Sequence, residues 1–140
     1  MTIAVDFDGT IVEHRYPAIG KEKPFAVAAI KQLIDEGHRF ILWSVREGEL
    51  LEEAVKWCEE RGIMFVAVNR DYAEEKKENN EHFSRKLKVD LFIDDRNVGG
   101  LPDWGVIYEC IHHRISFERY YSQVEHPVPE PRRKKHWWSF

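Results

Sequence analysis

Asp6 and Asp8 stand two residues apart, directly after the apolar run Ile3-Ala4-Val5 and directly before Gly9. Residues two apart on an extended strand point to the same side, so both carboxylates can face one small space. Two carboxylates that close repel, and each favours holding a proton over staying charged. A divalent cation relieves the repulsion, and a set of hard carboxylate oxygens suits magnesium. Gly9 permits a sharp turn and lets a phosphate come close to the backbone. The chemistry on offer is phosphate, magnesium and a carboxylate nucleophile. Any Asp-x-Asp can also be a solvated turn, so the choice between the two rests on the remaining residues.

Those residues need elements to hold them. After the first strand, residues 11–23 contain Pro17 and Gly20 without a helical period and read as a loop or small flap over the strand end. Pro24 stands where a helix can start. Val27, Ile30, Leu33 and Ile34 recur at helical spacing, and Gly37 ends that helix. Phe40 to Trp43 reads as a second strand, with Ser44 at its end. Leu51, Ala54, Val55 and Cys58 form the buried face of a second helix opened by Gly48-Glu49 and closed by Gly62. Met64 to Val68 reads as a third strand. Asp71 and Glu74 have the spacing of a capping box ahead of a polar helix. Leu91-Phe92-Ile93 predicts a fourth strand ending in Asp94-Asp95, and Val106-Ile107-Tyr108 a fifth; residues 111–124 predict a helix. Alternating strands and helices argue an α/β fold. Right-handed crossovers reduce this to a doubly wound, mainly parallel five-stranded sheet, its first strand central so that acids from separate strands can meet.

Each further feature beside a strand end has a plain explanation taken alone: Ser44 a helix cap, Lys86 a surface lysine, Asp94-Asp95 a turn. Their order changes the reading. Asp6-Phe7-Asp8-Gly9-Thr10, then Ser44, then Lys86, then Ile93-Asp94-Asp95-Arg96-Asn97 resembles the motif series of the haloacid dehalogenase superfamily of phosphatases and phosphotransferases. The resemblance covers roughly residues 3–110. It implies Asp6 as nucleophile and metal ligand, and Asp8 as general acid and base with its backbone carbonyl on the metal. It implies Ser44 and Lys86 as holders of the phosphoryl group, with Gly9 in the phosphate-binding turn, and an acidic pair completing a Mg²⁺ site. Asp95 is the expected direct ligand and Asp94 the supporting acid. Lys88 is the rival of Lys86. Arg46 either touches substrate or pairs with Glu47 or Glu49. Family members often insert a cap domain; the short spacings between these motifs imply a capless member.

Physical chemistry supports the same roles. A phosphomonoester dianion approaches four carboxylates only if cations compensate, which a metal ion, a lysine and the amides of the turn from Asp8 to Ile11 would do. Attack by Asp6 on phosphorus splits one hard displacement into two, and Asp8 can protonate the leaving oxygen and then activate water. The expected activity is a Mg²⁺-dependent phosphatase working through an aspartyl phosphate. A phosphatase acting on nucleic-acid ends is an alternative, because Arg132-Arg133-Lys134-Lys135 stands beside Trp137-Trp138. A phosphoacceptor receiver module is another, though receivers resemble a different order of acids and lysine.

Composition sets the limits. The 140 residues are 43% hydrophobic and 33% charged, enough for one globular domain with a core. Residues 1–126 are expected to be the catalytic domain and 127–140 an extended tail rich in proline. The net charge is −4; Glu130 and the four basic residues after it give the tail +3, which leaves −7 on the rest. So acidic a body argues against a general nucleic-acid binder. Cys58 and Cys110 lack metal or redox spacing. No run of 18 apolar residues and no signal pattern appear, so no membrane association and a cytoplasmic setting are expected. Trp137, Trp138 and Phe140 suggest that the tail docks on another subunit of a homo-oligomer, over an open site taking a small or bulky phosphorylated substrate.

Overall fold

The computed structural model describes residues 1–72 and 85–125. These hold four strands, β1 (Thr2–Val5), β2 (Arg39–Leu42), β3 (Ala67–Val68) and β4 (Leu91–Ile93). They also hold four helices, α1 (Ala26–Asp35), α2 (Gly48–Glu60), α3 (Trp104–His113) and α4 (Phe117–Glu125). The strands lie in the order β3-β2-β1-β4 and every pair is parallel. β1 is thus an inner strand, with Val5 opposite both Leu42 and Ile93. That register brings the ends of β1, β2 and β4 to one edge of the sheet, which is where open parallel sheets bind ligands.

One face of the sheet carries the larger core. Ile3, Val5, Phe40, Leu42 and Ile93 pack with the apolar stripes of α1, α2 and α3. Cys58 belongs to this core, and burial pushes its thiol up to about 12, so it serves as a filler rather than a nucleophile. The opposite face carries a smaller cluster of Ala4, Ile41, Ala67 and Leu87, flanked by Trp43 and Phe92. The alternation within β1, Ile3 and Val5 to one side and Ala4 to the other, is the strand period expressed in packing.

Three expectations need correction. Val106-Ile107-Tyr108 is not a fifth strand but the middle of α3. Trp104, Ile107, Cys110 and Ile111 are its buried residues, and their spacing of three and four outweighs a short β-favouring run. The helix expected at 111–124 is two helices. Arg114 turns left-handed at φ 54°, and Ser116 accepts the Arg119 N–H through its hydroxyl at 3.1 Å ahead of α4. The third strand is only two residues long, and Met64 ahead of it is 65% exposed. Asp71 accepts the Lys88 backbone N–H at 2.6 Å. Its expected capping partner Glu74 and the polar helix after it lie outside the described residues, as does the tail at 127–140.

Candidate active site

The first carboxylate is fixed by the ladder itself. The Asp6 N–H donates to the Ile93 carbonyl at 2.9 Å, extending the pairing of β1 with β4 one residue beyond the strand. Asp6 therefore stands beside Asp94 and Asp95, which follow β4. The three side chains each offer an oxygen, and these oxygens lie within 4.8 Å of one another. Thr10 ties them together. Its hydroxyl donates to Asp6 Oδ2 at 3.1 Å and accepts the Asp95 N–H at 3.0 Å. Thr10 is held in turn by Trp104, 2% exposed, whose indole N–H donates to the Thr10 carbonyl at 2.8 Å. A core helix thus locks the loop that carries the acids.

Electrostatically the cluster is unrelieved. Burial, then the Asp94 charge, push the Asp6 carboxyl up from 3.8 to about 7, against the lowering pull of the Phe7 N–H and the Thr10 hydroxyl. Packing is as tight as the charge. Gly9 has φ +82°, and a Cβ there would come within 2.2 Å of Asp95 Oδ2. Only glycine satisfies both the turn and the approach of Asp95. The Gly9 amide donates to Val12 O, and those of Thr10 and Ile11 both donate to Phe7 O. These amides are engaged within the turn.

Asp8 faces elsewhere. Arg46 Nε donates to Asp8 Oδ2 and the Arg46 terminal nitrogen to Asp8 Oδ1, both at 2.7 Å. Arg46 is 0% exposed and Asp8 8%. The remaining guanidinium hydrogens reach the carbonyls of Pro17, Ala18 and Leu50. The group lies between the rings of Phe7 and Tyr16, at 5.3 and 5.2 Å from their centroids. Hydrogen bonding by Asp8 raises the Arg46 pKa further still. The expected pairing of Arg46 with Glu47 or Glu49 is thereby corrected to a pairing with Asp8, and all five guanidinium N–H groups are spent on Asp8 and on three carbonyls. The physical reason is burial, since a guanidinium withdrawn from water needs a carboxylate and a full set of acceptors.

Residues 11–23 form the expected flap. Val12 and Glu22 bridge in antiparallel fashion, and Glu13 donates to Lys21 O at 2.7 Å. The flap, the end of β2 and the start of the Asp94 loop enclose a cleft of about 560 Å³. Asp6, Asp8, Ser44 and Asp94 lie in it, together with the rings of His14, Tyr16 and Trp43 and the side chain of Arg96. Ser44 is placed by its N–H donating to Asn69 Oδ1 at 2.8 Å, and its hydroxyl accepts the Arg46 N–H at 3.1 Å. Lys86 is exposed and lies outside the cleft lining, its ammonium 5.7 Å from the Phe92 ring centroid. Sequence reasoning overlooked Thr10, Trp104, Asn69 and the ring-bearing wall. Thr10 alone had a signal, its place inside Asp-Gly-Thr.

No model of a protein family matches the chain. Over 73 residues, 52% of its length, the chain is 32% identical to a Bacillus cereus protein named "Putative nucleotidase", and the match spans 38% of that relative. A solved structure of a conserved protein coded by a locus of Bacteroides thetaiotaomicron superposes with a TM-score of 0.81 at 67% identity. That match covers 88% of this chain and 98% of the other. Among the described residues no helix is long and apolar enough to cross a membrane.

Proposed function

We propose that this chain, which belongs to one family with the conserved Bacteroides thetaiotaomicron protein, is a phosphomonoester hydrolase of the haloacid dehalogenase type. The observation that carries the reading is the convergence of Asp6, Asp94 and Asp95 from the ends of β1 and β4 onto one point. The nucleotidase name of the Bacillus cereus relative supports a phosphate-ester substrate. The three carboxylates fit Mg²⁺, since the donors are hard oxygens and the Asp6 carboxyl, raised to about 7, lacks a compensating cation. They would hold the ion, which would supply charge compensation to the incoming phosphate.

The chain's own residues then divide the work. Asp6 attacks phosphorus, the bond to the ester oxygen breaks, and an aspartyl phosphate forms. Asp8, held as a carboxylate by Arg46, first takes up a proton from solvent and gives it to the leaving oxygen; in the second step it takes a proton from a water whose oxygen attacks phosphorus, and the bond to Asp6 breaks to release phosphate. Because Arg46 holds both Asp8 oxygens, that transfer requires the carboxyl to free one of them. Ser44 accepts from Arg46 through its hydroxyl oxygen and keeps its own proton to donate to a phosphoryl oxygen. Arg96, which lines the cleft, supplies positive charge to the same oxygens, and Lys86 would join it only by leaving its place beside the Phe92 ring. The walls built by His14, Tyr16 and Trp43 favour a planar aromatic group on the ester. Nucleoside monophosphates are therefore the first substrates to test.

The test is phosphate release from a panel of nucleotides, sugar phosphates and aryl phosphates, with Mg²⁺ and with chelator. Wild type is expected to hydrolyse nucleotides and to stop on chelation, and Asp6→Asn to be inactive. Turnover by Asp6→Asn, or chelator-insensitive hydrolysis, would overturn the assignment.

A further inference from the structure

A second concavity, of about 500 Å³, runs beside β4, bounded by residues 97–102, α3 and the turn into α4. Its wall includes Leu101, Ile107, Ile111, Ile115 and Phe117, and it is predominantly apolar. Among the described residues β4 pairs only with β1. Among those residues its outer edge carries no strand partner, an arrangement that invites an added chain segment. The missing neighbour is the fifth strand expected from residues 106–108, which instead lie in α3.

We infer that this groove receives the chain's own C-terminal segment, residues 126–140, through its Trp137-Trp138-Ser139-Phe140 end. Position is the first argument. Phe117, in the groove wall, is the first residue of α4, and α4 ends at Glu125. A helix of nine residues is about 13 Å long, so the segment begins near the groove. Its 15 residues can span up to about 50 Å. Chemistry is the second. The segment brings three large aromatics to a groove whose own apolar groups are open to water, Phe117 at 43% exposure and Val98 at 108%. Charge is the third. The stretch from Pro127 carries +3 against −7 on the rest of the chain, while on the groove itself Asp90 and Asp94 stand against Arg114 and the Met1 ammonium. Tethering is the fourth, because a short linker holds the segment at an effective concentration on the order of millimolar, where even a weak site fills. The occupant would adjoin the cleft, since Asp94 lines both.

The test uses the full chain with p-benzoylphenylalanine in place of Trp138, prepared as an equal mixture of light and ¹⁵N-labelled protein and irradiated. The expected products are cross-links within single-isotope chains, mapping to residues 90–102 or 107–117. Phe117→Asp, at a half-exposed position, is expected to cut their yield about tenfold, the scale of losing one buried aromatic. Mixed-isotope products would assign the groove to a second copy and overturn the inference. Cross-links on another surface, no cross-link, or a yield unchanged by Phe117→Asp would overturn it equally.

Discussion

Replacing the proposed nucleophile is expected to make the metal-free protein more stable. Asp6 is buried against Asp94 and Asp95, and its carboxyl is raised from 3.8 to about 7. An acid raised in the folded state binds its proton there while the unfolded chain has already lost it. Stability therefore falls as pH rises from about 4 to 7, and the full penalty applies above 7. At about 1.4 kcal/mol per pH unit the site costs on the order of 4 kcal/mol at pH 8. Asn resembles the protonated acid: it carries no charge, its oxygen can accept from Thr10, and its amide can donate to Asp95. Asp6→Asn should thus gain about 2–4 kcal/mol at pH 8 in chelator, and the gain should shrink towards zero near pH 4.

Urea unfolding at pH 8 and pH 5, each with chelator and with Mg²⁺, reads the effect. Mg²⁺ at about a hundred times its dissociation constant should stabilise wild type by about 2.7 kcal/mol and leave Asp6→Asn nearly unchanged. A variant less stable than wild type at pH 8 in chelator would refute the electrostatic reasoning. So would a gain of equal size at both pH values.

Three other substitutions test the scaffold. Arg46→Met leaves Asp8 buried without its fork and should cost about 3–5 kcal/mol; adding Asp8→Asn should recover part of it, and a double-mutant cycle showing no coupling would deny the pair its role. Trp104→Phe keeps one aromatic ring but strands the Thr10 carbonyl and leaves a small void at a buried site, so a loss of at least about 1–3 kcal/mol is expected by denaturant titration. Gly9→Ala meets both a positive φ and the Asp95 carboxylate, and it should lower stability by about 1–3 kcal/mol. The same variant should weaken Mg²⁺ binding in calorimetry, because Asp95 has to move.

The parts of this molecule that were legible in the sequence are those written in local pattern. Ile3-Ala4-Val5 followed by Asp-x-Asp-Gly-Thr announces a strand and its loaded end, and the spacing of Val27, Ile30 and Leu33 announces α1. The inner place of β1 followed from the need for acids on separate strands to meet, and the order β3-β2-β1-β4 has it there. What stayed hidden depends on partners far apart in the chain. Arg46 is 38 residues from Asp8, and Trp104 is 94 from Thr10. Nothing in Ser-Val-Arg-Glu distinguishes an arginine facing water from one buried between Phe7 and Tyr16. Val106-Ile107-Tyr108 failed for a related reason. Three apolar residues fit a strand as well as a helix, and the choice was made by Trp104 and Ile111 packing against the same core.

Arg46 shows why this matters for chemistry as well as for fold. The resemblance at the sequence level assigns proton transfer to Asp8 and says nothing of what holds it. The structure places on that carboxylate a guanidinium that also grips the flap carbonyls of Pro17 and Ala18 and the α2 carbonyl of Leu50. Releasing an Asp8 oxygen therefore changes the acceptors left to a buried cation, and the cheapest compensation is a shift of the flap that carries two of them. If the chain acts as proposed, the flap and the acid would respond together, and a substrate seated against His14 and Tyr16, which line the cleft, would act on the same lever. An Arg46→Lys variant keeps the charge but lacks the fork. It should lower kcat by more than it raises KM if positioning of Asp8 is what the fork supplies, and a change confined to KM would reduce Arg46 to a support for the cleft wall.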